Sequence, residues 1–225
     1  MKQFDENEYV IVSDFDGTIT KKDSNVLLVE SCGTEENAQI EADLISGLIC
    51  GRDAFVKHFQ ALKISLQEYV DFIESIIDIN AGFDEFLEIT RKREIPLYIV
   101  SGGYHQAVDI ILGEDRLQGI EVIANKLSGE PYITPDFASE NPICNKPFGP
   151  CGNCKRDCLK KIRLMSKKKI LFIGDGITDR CAAEEADLIF AKDSFARFCE
   201  EQNLPYVLYN DFFDIINQLG WTTHK

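Results

Sequence analysis

Apolar residues fall into two rhythms along the chain. Short β-branched runs, `VIV` at 10–12, `IPLYIV` at 95–100 and `ILFI` at 170–173, each stop at small or polar residues and predict strands buried on both faces. Pro96 fits only near the start of its strand. `ADLIFA`, 186–191, and `PYVLY`, 205–209, predict two later strands, and `LQGIEVIANKLSG`, 117–129, predicts one more that leads into a hairpin or an irregular excursion. The second rhythm is helical: Phe83, Phe86, Leu87 and Thr90 share one face, and Tyr104, Ala107, Val108, Ile111 and Leu112 share another. Such alternation predicts an α/β fold, a parallel sheet with helices on both faces and a site outside the carboxyl ends of its strands.

Residues 24–80 carry only the helical rhythm. Leu44, Ile45, Leu48 and Ile49 form one apolar group, and Phe55, Val56, Phe59 and Leu62 form another. Ser65 followed by Glu68 has capping-box spacing, ahead of a predicted face of Val70, Ile73, Ile76 and Ile77. The expected organisation is a core of 1–23 and 81–225, a helical cap at 24–80, and a hairpin or cysteine-rich excursion within the core at 125–158.

Composition narrows the partners. The chain has 225 residues, 44% of them hydrophobic, enough for a full core, and 38 acidic against 24 basic side chains give a net charge of -14. That balance argues against nucleic acid or an anionic membrane as partner and leaves an anionic small molecule open, since a local cation can reverse the potential in a cleft. No run approaches membrane-spanning length, and the first residues lack a secretory pattern, so a cytoplasmic monomer or homodimer is the expectation.

The chemistry starts at `VIVSDFDGTIT`. Asp14 and Asp16 stand two apart at a strand end and share a face, with Phe15 turned away. Taken alone the pair equally fits a turn at Asp16 and Gly17. `GDGITD` ends another predicted strand with Asp175 and Asp179, however, and four converging carboxylates make physical sense chiefly around a hard divalent cation, Mg2+ rather than a calcium loop.

The ordered set `DFDGTIT`, `SGG`, `GDGITD` resembles the haloacid dehalogenase superfamily of aspartate-nucleophile phosphohydrolases. The resemblance implies a Rossmann-like core. It implies Asp14 as nucleophile, Asp16 as proton donor and then activator of water, and Mg2+ held by Asp14, the Asp16 carbonyl and Asp175. Asp179 and Gly176 would support the metal loop, while the Ser101 hydroxyl and Gly102 amide would meet the phosphoryl oxygens.

The family also implies a lysine beside the phosphoryl group. `CNKPFGPCGNCKRDC` resembles the `CxxCK` region of the methionine-salvage phosphatases that act on 2-hydroxy-3-keto-5-methylthiopentenyl-1-phosphate, and more distantly that of phosphoethanolamine and phosphocholine phosphatases, which points to Lys155 ahead of Lys160. Cys144, Cys151, Cys154 and Cys158 either enclose a structural Zn2+, remain reduced thiols, or pair as a disulfide, with reduced thiols the first expectation. His58 and His224 read as surface or packing groups; His105, after `SGGY`, stands nearer the expected pocket. Asp23, Ser24, Arg52, Tyr104 and His105 are the candidates for contacting the organic part of a small phosphorylated metabolite. Arg52 does not align securely with the substrate arginine of phosphoserine phosphatases, so the methionine-salvage group is preferred over phosphoserine. A non-catalytic Mg2+ and phosphate-binding module is the alternative of another class.

Overall fold

The computed structural model describes residues 5–139, 144, 146 and 148–221; His224 lies outside them. In chain order the elements are β1 (Tyr9–Ser13), α1 (Ser24–Cys32), α2 (Glu35–Ile45), α3 (Gly51–Leu62), α4 (Leu66–Ser75), α5 (Phe83–Lys92), β2 (Leu97–Tyr104) and α6 (His105–Leu117). They continue with β3 (Glu121–Ser128), β4 (Thr134–Asp136), α7 (Lys155–Ser166), β5 (Lys169–Gly174), β6 (Leu188–Ala191), α8 (Asp193–Glu201), β7 (Val207–Leu208) and α9 (Phe212–Gln218). The seven strands form one sheet in the order β4-β3-β2-β1-β5-β6-β7, parallel throughout except for β4 against β3.

β1 sits at the centre of the sheet, and every position after Tyr9 is buried, with Val10, Ile11 and Val12 fully so. Its side chains alternate between two hydrophobic cores. Ile11 joins Phe83, Phe86 and Phe212 on one face of the sheet, and Val10 and Val12 join Leu159, Ile162 and Phe195 on the other. Register then fixes the site. Ser13 pairs with Ile99 on β2 and with Ile173 on β5, so Asp14, Ser101 and Asp175 emerge at nearly one level of the sheet edge. Between Val100 and Tyr104 the pairing of β2 with β3 slips, which takes the `SGG` stretch out of the regular ladder and turns it toward that edge.

The segment between β1 and α5 is helical, as its periodicity predicts, and it joins the sheet through two adjacent linkers. Thr20 and Ile79 form an antiparallel bridge, Lys21 N–H donates to Asp78 O at 3.0 Å, and Asn80 N–H donates to Ile19 O at 2.8 Å. Two expected apolar groups are corrected. Ile45 and Leu48 are 69% and 76% exposed, because α2 turns Asn37 and Ile40 inward instead. α4 ends at Ser75 and buries Tyr69 with Ile73, leaving Ile77 outside; the aromatic contact of Tyr69 with Phe59 and Tyr104 sets the phase of that helix. Tyr104 itself closes β2 rather than opening α6.

Candidate active site

Lys155, the first residue of α7, is 3% exposed and reaches two carboxylates: its Nζ lies 2.6 Å from Asp14 Oδ1 and 2.6 Å from Asp179 Oδ1. Its placement depends on the residue before the cysteine. The Asn153 amide donates to Ser101 O at 2.8 Å and Ile123 O at 2.9 Å, pinning the start of α7 to β2 and β3. Asn153 in turn accepts from the Cys158 thiol at 3.2 Å. The sequence reading passed over Asn153; its position inside `GNCK`, two before the lysine, was the available signal. Lys160 is instead a surface residue with its Nζ 3.8 Å from Glu185.

The acids are held by backbone and hydroxyl groups. Asp179 Oδ2 accepts from the Asp175 and Gly176 amides at 2.9 and 2.8 Å, and Thr18 donates its hydroxyl to Asp175 Oδ1 at 2.7 Å. Gly17 has φ +80°, and a Cβ there would collide with the Asp175 carboxylate, so only glycine lets the two loops close. Asp16 faces a different way. Its Oδ1 accepts from the Ser24 amide at 2.9 Å and the Ser24 hydroxyl at 2.5 Å, and Ser101 Oγ lies 3.3 Å from Oδ2.

Among the described residues, Asp14, Asp175 and Asp179 are the group whose donor oxygens all lie within 4.8 Å of one another. Burial first, then the neighbouring Asp179, holds the Asp14 carboxyl well above the usual range even with Lys155 opposing, and the same two causes bring Asp175 to about 6. Burial works against the Lys155 ammonium, but Asp14 and Asp179 outweigh it and keep it charged. One lysine among three carboxylates leaves excess negative charge in an all-oxygen pocket, a donor set that fits a hard divalent cation such as Mg2+. Asp16 is raised to about 7, by burial and then by Asp23, with the Ser24 hydrogen bonds opposing.

The other sequence candidates separate. Tyr104 is buried next to Gly103, where a Cβ would stand 2.5 Å from Asp16 Oδ2; the sequence reading named Gly102, whose Cβ would meet nothing within 4 Å. Asp23 caps α1, accepting from the Asn25 and Val26 amides. Arg52 stacks its guanidinium 4.5 Å from the Phe137 ring centre, away from the carboxylates. His105 is half-buried, its pKa lowered by burial, and the charges acting on it are Asp109 and Lys126 rather than the acidic cluster. His58 is buried, with Nδ1 3.1 Å from the Asn37 amide nitrogen. Of the cysteines, Cys144, Cys151 and Cys154 line one small cavity together with Cys181, which the sequence reading did not group with them, while Cys158 points at Asn153.

A family model of the haloacid dehalogenase-like hydrolases matches residues 11–184. The chain belongs to that family. It is thus a hydrolase of the phosphatase type, Mg2+-dependent and working through an aspartyl-phosphate, and the non-catalytic module is set aside. The chain is 34% identical over 216 residues to the 2-hydroxy-3-keto-5-methylthiopentenyl-1-phosphate phosphatase of Geobacillus kaustophilus (strain HTA426), covering 94% of this chain and 96% of the relative. It is 34% identical to the protein of the same name from Brevibacillus brevis, over 93% and 94% of the two chains. Among solved structures, the phosphoserine phosphatase from T. onnurineus superposes with a TM-score of 0.68 at 18% identity, covering 97% of this chain and 98% of that one, a likeness of fold.

Proposed function

We propose that this haloacid dehalogenase-like hydrolase removes phosphate from a small enol phosphate, 2-hydroxy-3-keto-5-methylthiopentenyl-1-phosphate. The observation that carries the proposal is the Lys155 ammonium bridging Asp14, at the end of β1, and Asp179, in the turn that follows the adjacent strand β5. Lys155 follows a `CxxC` pair, and two curated relatives 34% identical to this chain bear that substrate in their names.

In this reading Asp14 attacks phosphorus, and Lys155 orients it and offsets charge on the transferring group. Asp16, gripped by Ser24 and raised to about 7, donates a proton to the leaving oxygen and later takes one from water. Asp14, Asp175 and the Asp16 carbonyl, with Asp179 beside them, would hold Mg2+, which when bound neutralises phosphoryl charge. Ser101 and Gly102 would receive the phosphoryl oxygens. The helices of 24–80 act as a cap whose closure, about the paired linkers, excludes water from the site.

The test is steady-state hydrolysis of the enol phosphate, phosphoserine, phosphocholine, phosphoethanolamine and a sugar phosphate, with and without Mg2+. The expected result is metal-dependent turnover with the highest kcat/KM on the enol phosphate. A preference for phosphoserine would keep the mechanism and overturn the substrate.

A further inference from the structure

Three buried polar atoms beside Asp16 lack a hydrogen-bond partner: the hydroxyls of Tyr69 and Tyr104, and Asn25 Oδ1. Both tyrosines are 1% exposed. Leaving a buried hydroxyl unpaired is costly, so a cluster of such groups in one place calls for a physical reason. They arrive from separate elements, Asn25 from α1, Tyr69 from α4 and Tyr104 from the end of β2. The Tyr69 and Tyr104 rings meet edge-on at 6.3 Å, and Phe59 and Phe55 of α3 meet Tyr104 edge-on at 5.4 and 6.1 Å. Packing thus holds the phenols in place while leaving their hydroxyls unused. At Gly103, a Cβ would lie 2.5 Å from Asp16 Oδ2 and 3.2 Å from Asn25 Nδ2, which puts the amide next to the carboxylate that serves the leaving group.

We infer that Asn25, Tyr69 and Tyr104 form the subsite for the organic part of the substrate, and that this subsite selects an uncharged hydroxyketone-like group. The two phenols donate to carbonyl and hydroxyl oxygens, and Asn25 Oδ1 accepts from a hydroxyl. Burial, with Asp16 and Asp23, keeps both phenols protonated and so available as donors. A quaternary ammonium would leave all three atoms unpaired. The inference rests on the phosphatase reading above and deepens it to a class of leaving group.

The experiment compares Tyr69→Phe, Tyr104→Phe and Asn25→Leu with the parent chain on dihydroxyacetone phosphate, p-nitrophenyl phosphate, phosphoserine and phosphocholine, alongside thermal melts. In each variant the ratio of kcat/KM for dihydroxyacetone phosphate over p-nitrophenyl phosphate should fall about tenfold, as expected for losing one hydrogen bond to the discriminating group. The phenylalanine variants should melt no lower than the parent, since the hydroxyls they remove bond no protein group. An unchanged ratio, or equal losses on both substrates with a lowered Tm, overturns the inference; so does a parent that prefers phosphoserine or phosphocholine. Absence of Mg2+-dependent turnover on every ester would instead sink the phosphatase reading itself.

Discussion

At the scale of single residues, the contrast between Lys155 and Lys160 is sharp, because one is enclosed by two carboxylates and the other lies in solvent. Lys155→Ala should lower kcat by about a hundredfold to a thousandfold, the scale of removing one group that stabilises transition-state charge. Lys160→Ala should leave stability within about 0.5 kcal/mol, as for surface substitutions generally. Steady-state kinetics and melts of the two variants check both expectations; the reverse ranking would move the electrophile along α7. Asp14→Asn should reduce turnover by about a thousandfold or more with the fold retained. Acid quench of the parent with labelled substrate should leave phosphate on Asp14 and on no other residue. Gly103→Ala should also cost activity out of proportion to stability, because its Cβ would press on Asp16 Oδ2.

At the scale of elements, α1 begins at a residue with two neighbours to serve. Asp23 accepts from two amides of the first turn, and its charge is the second cause, after burial, that raises Asp16. The two effects separate by substitution. Asp23→Asn keeps a good cap and removes the charge, so Tm should hold. Asp23→Ala removes the cap as well and should cost about 1 kcal/mol, or about 2–4 °C in a domain of this size. Calorimetry of the pair decides it; equal melting of both would show that the cap contributes nothing. The start of α3 is tied differently: the Gly51 and Arg52 amides donate to Phe148 O and Pro150 O, so the cysteine-bearing loop and the helical segment share an anchor.

For the whole molecule, the dominant feature is buried negative charge in a chain already at -14. Asp16 is raised to about 7 and Asp175 to about 6 from an ordinary 3.8, so the folded state takes up protons before the unfolded one. Their contribution to stability is therefore full below about pH 4 and is lost as pH rises through about 6–7. Without metal, Tm should fall across that window, and Asp175→Asn should flatten the slope. Added Mg2+ should raise Tm most at about pH 7.5 and little near about pH 5, where protons already occupy the carboxylates. Melts across pH with Mg2+ or with chelator test this; a Mg2+ shift independent of pH would count against the acidic cluster as the metal site. Among the described residues no helix is long and apolar enough to cross a membrane.

The sheet was legible in the sequence because β-branched runs buried on both faces leave little choice of structure, and the ordered motifs placed Asp14, Ser101 and Asp175 at its edge. Helix α5 was legible from the helical spacing of its one buried face, Phe83, Phe86, Leu87 and Thr90. The helical segment was harder. Helical spacing admits several neighbouring faces, and Tyr69 rather than Val70 turned inward only because Phe59 and Tyr104 were there to receive it. Long-range contacts also decided which further cysteines and glycines join the site: Cys181 lies 27 residues beyond Cys154 yet lines the same cavity, and Gly103 lies against Asp16. Local pattern determined the strands and the acidic strand ends, since these depend on alternation and spacing, and the resemblance of the ordered motifs supplied the chemistry expected of them. Tertiary structure decided which unpaired groups gather beside Asp16, because an unpaired hydroxyl is defined by what surrounds it, and those surroundings come from four elements far apart in the chain.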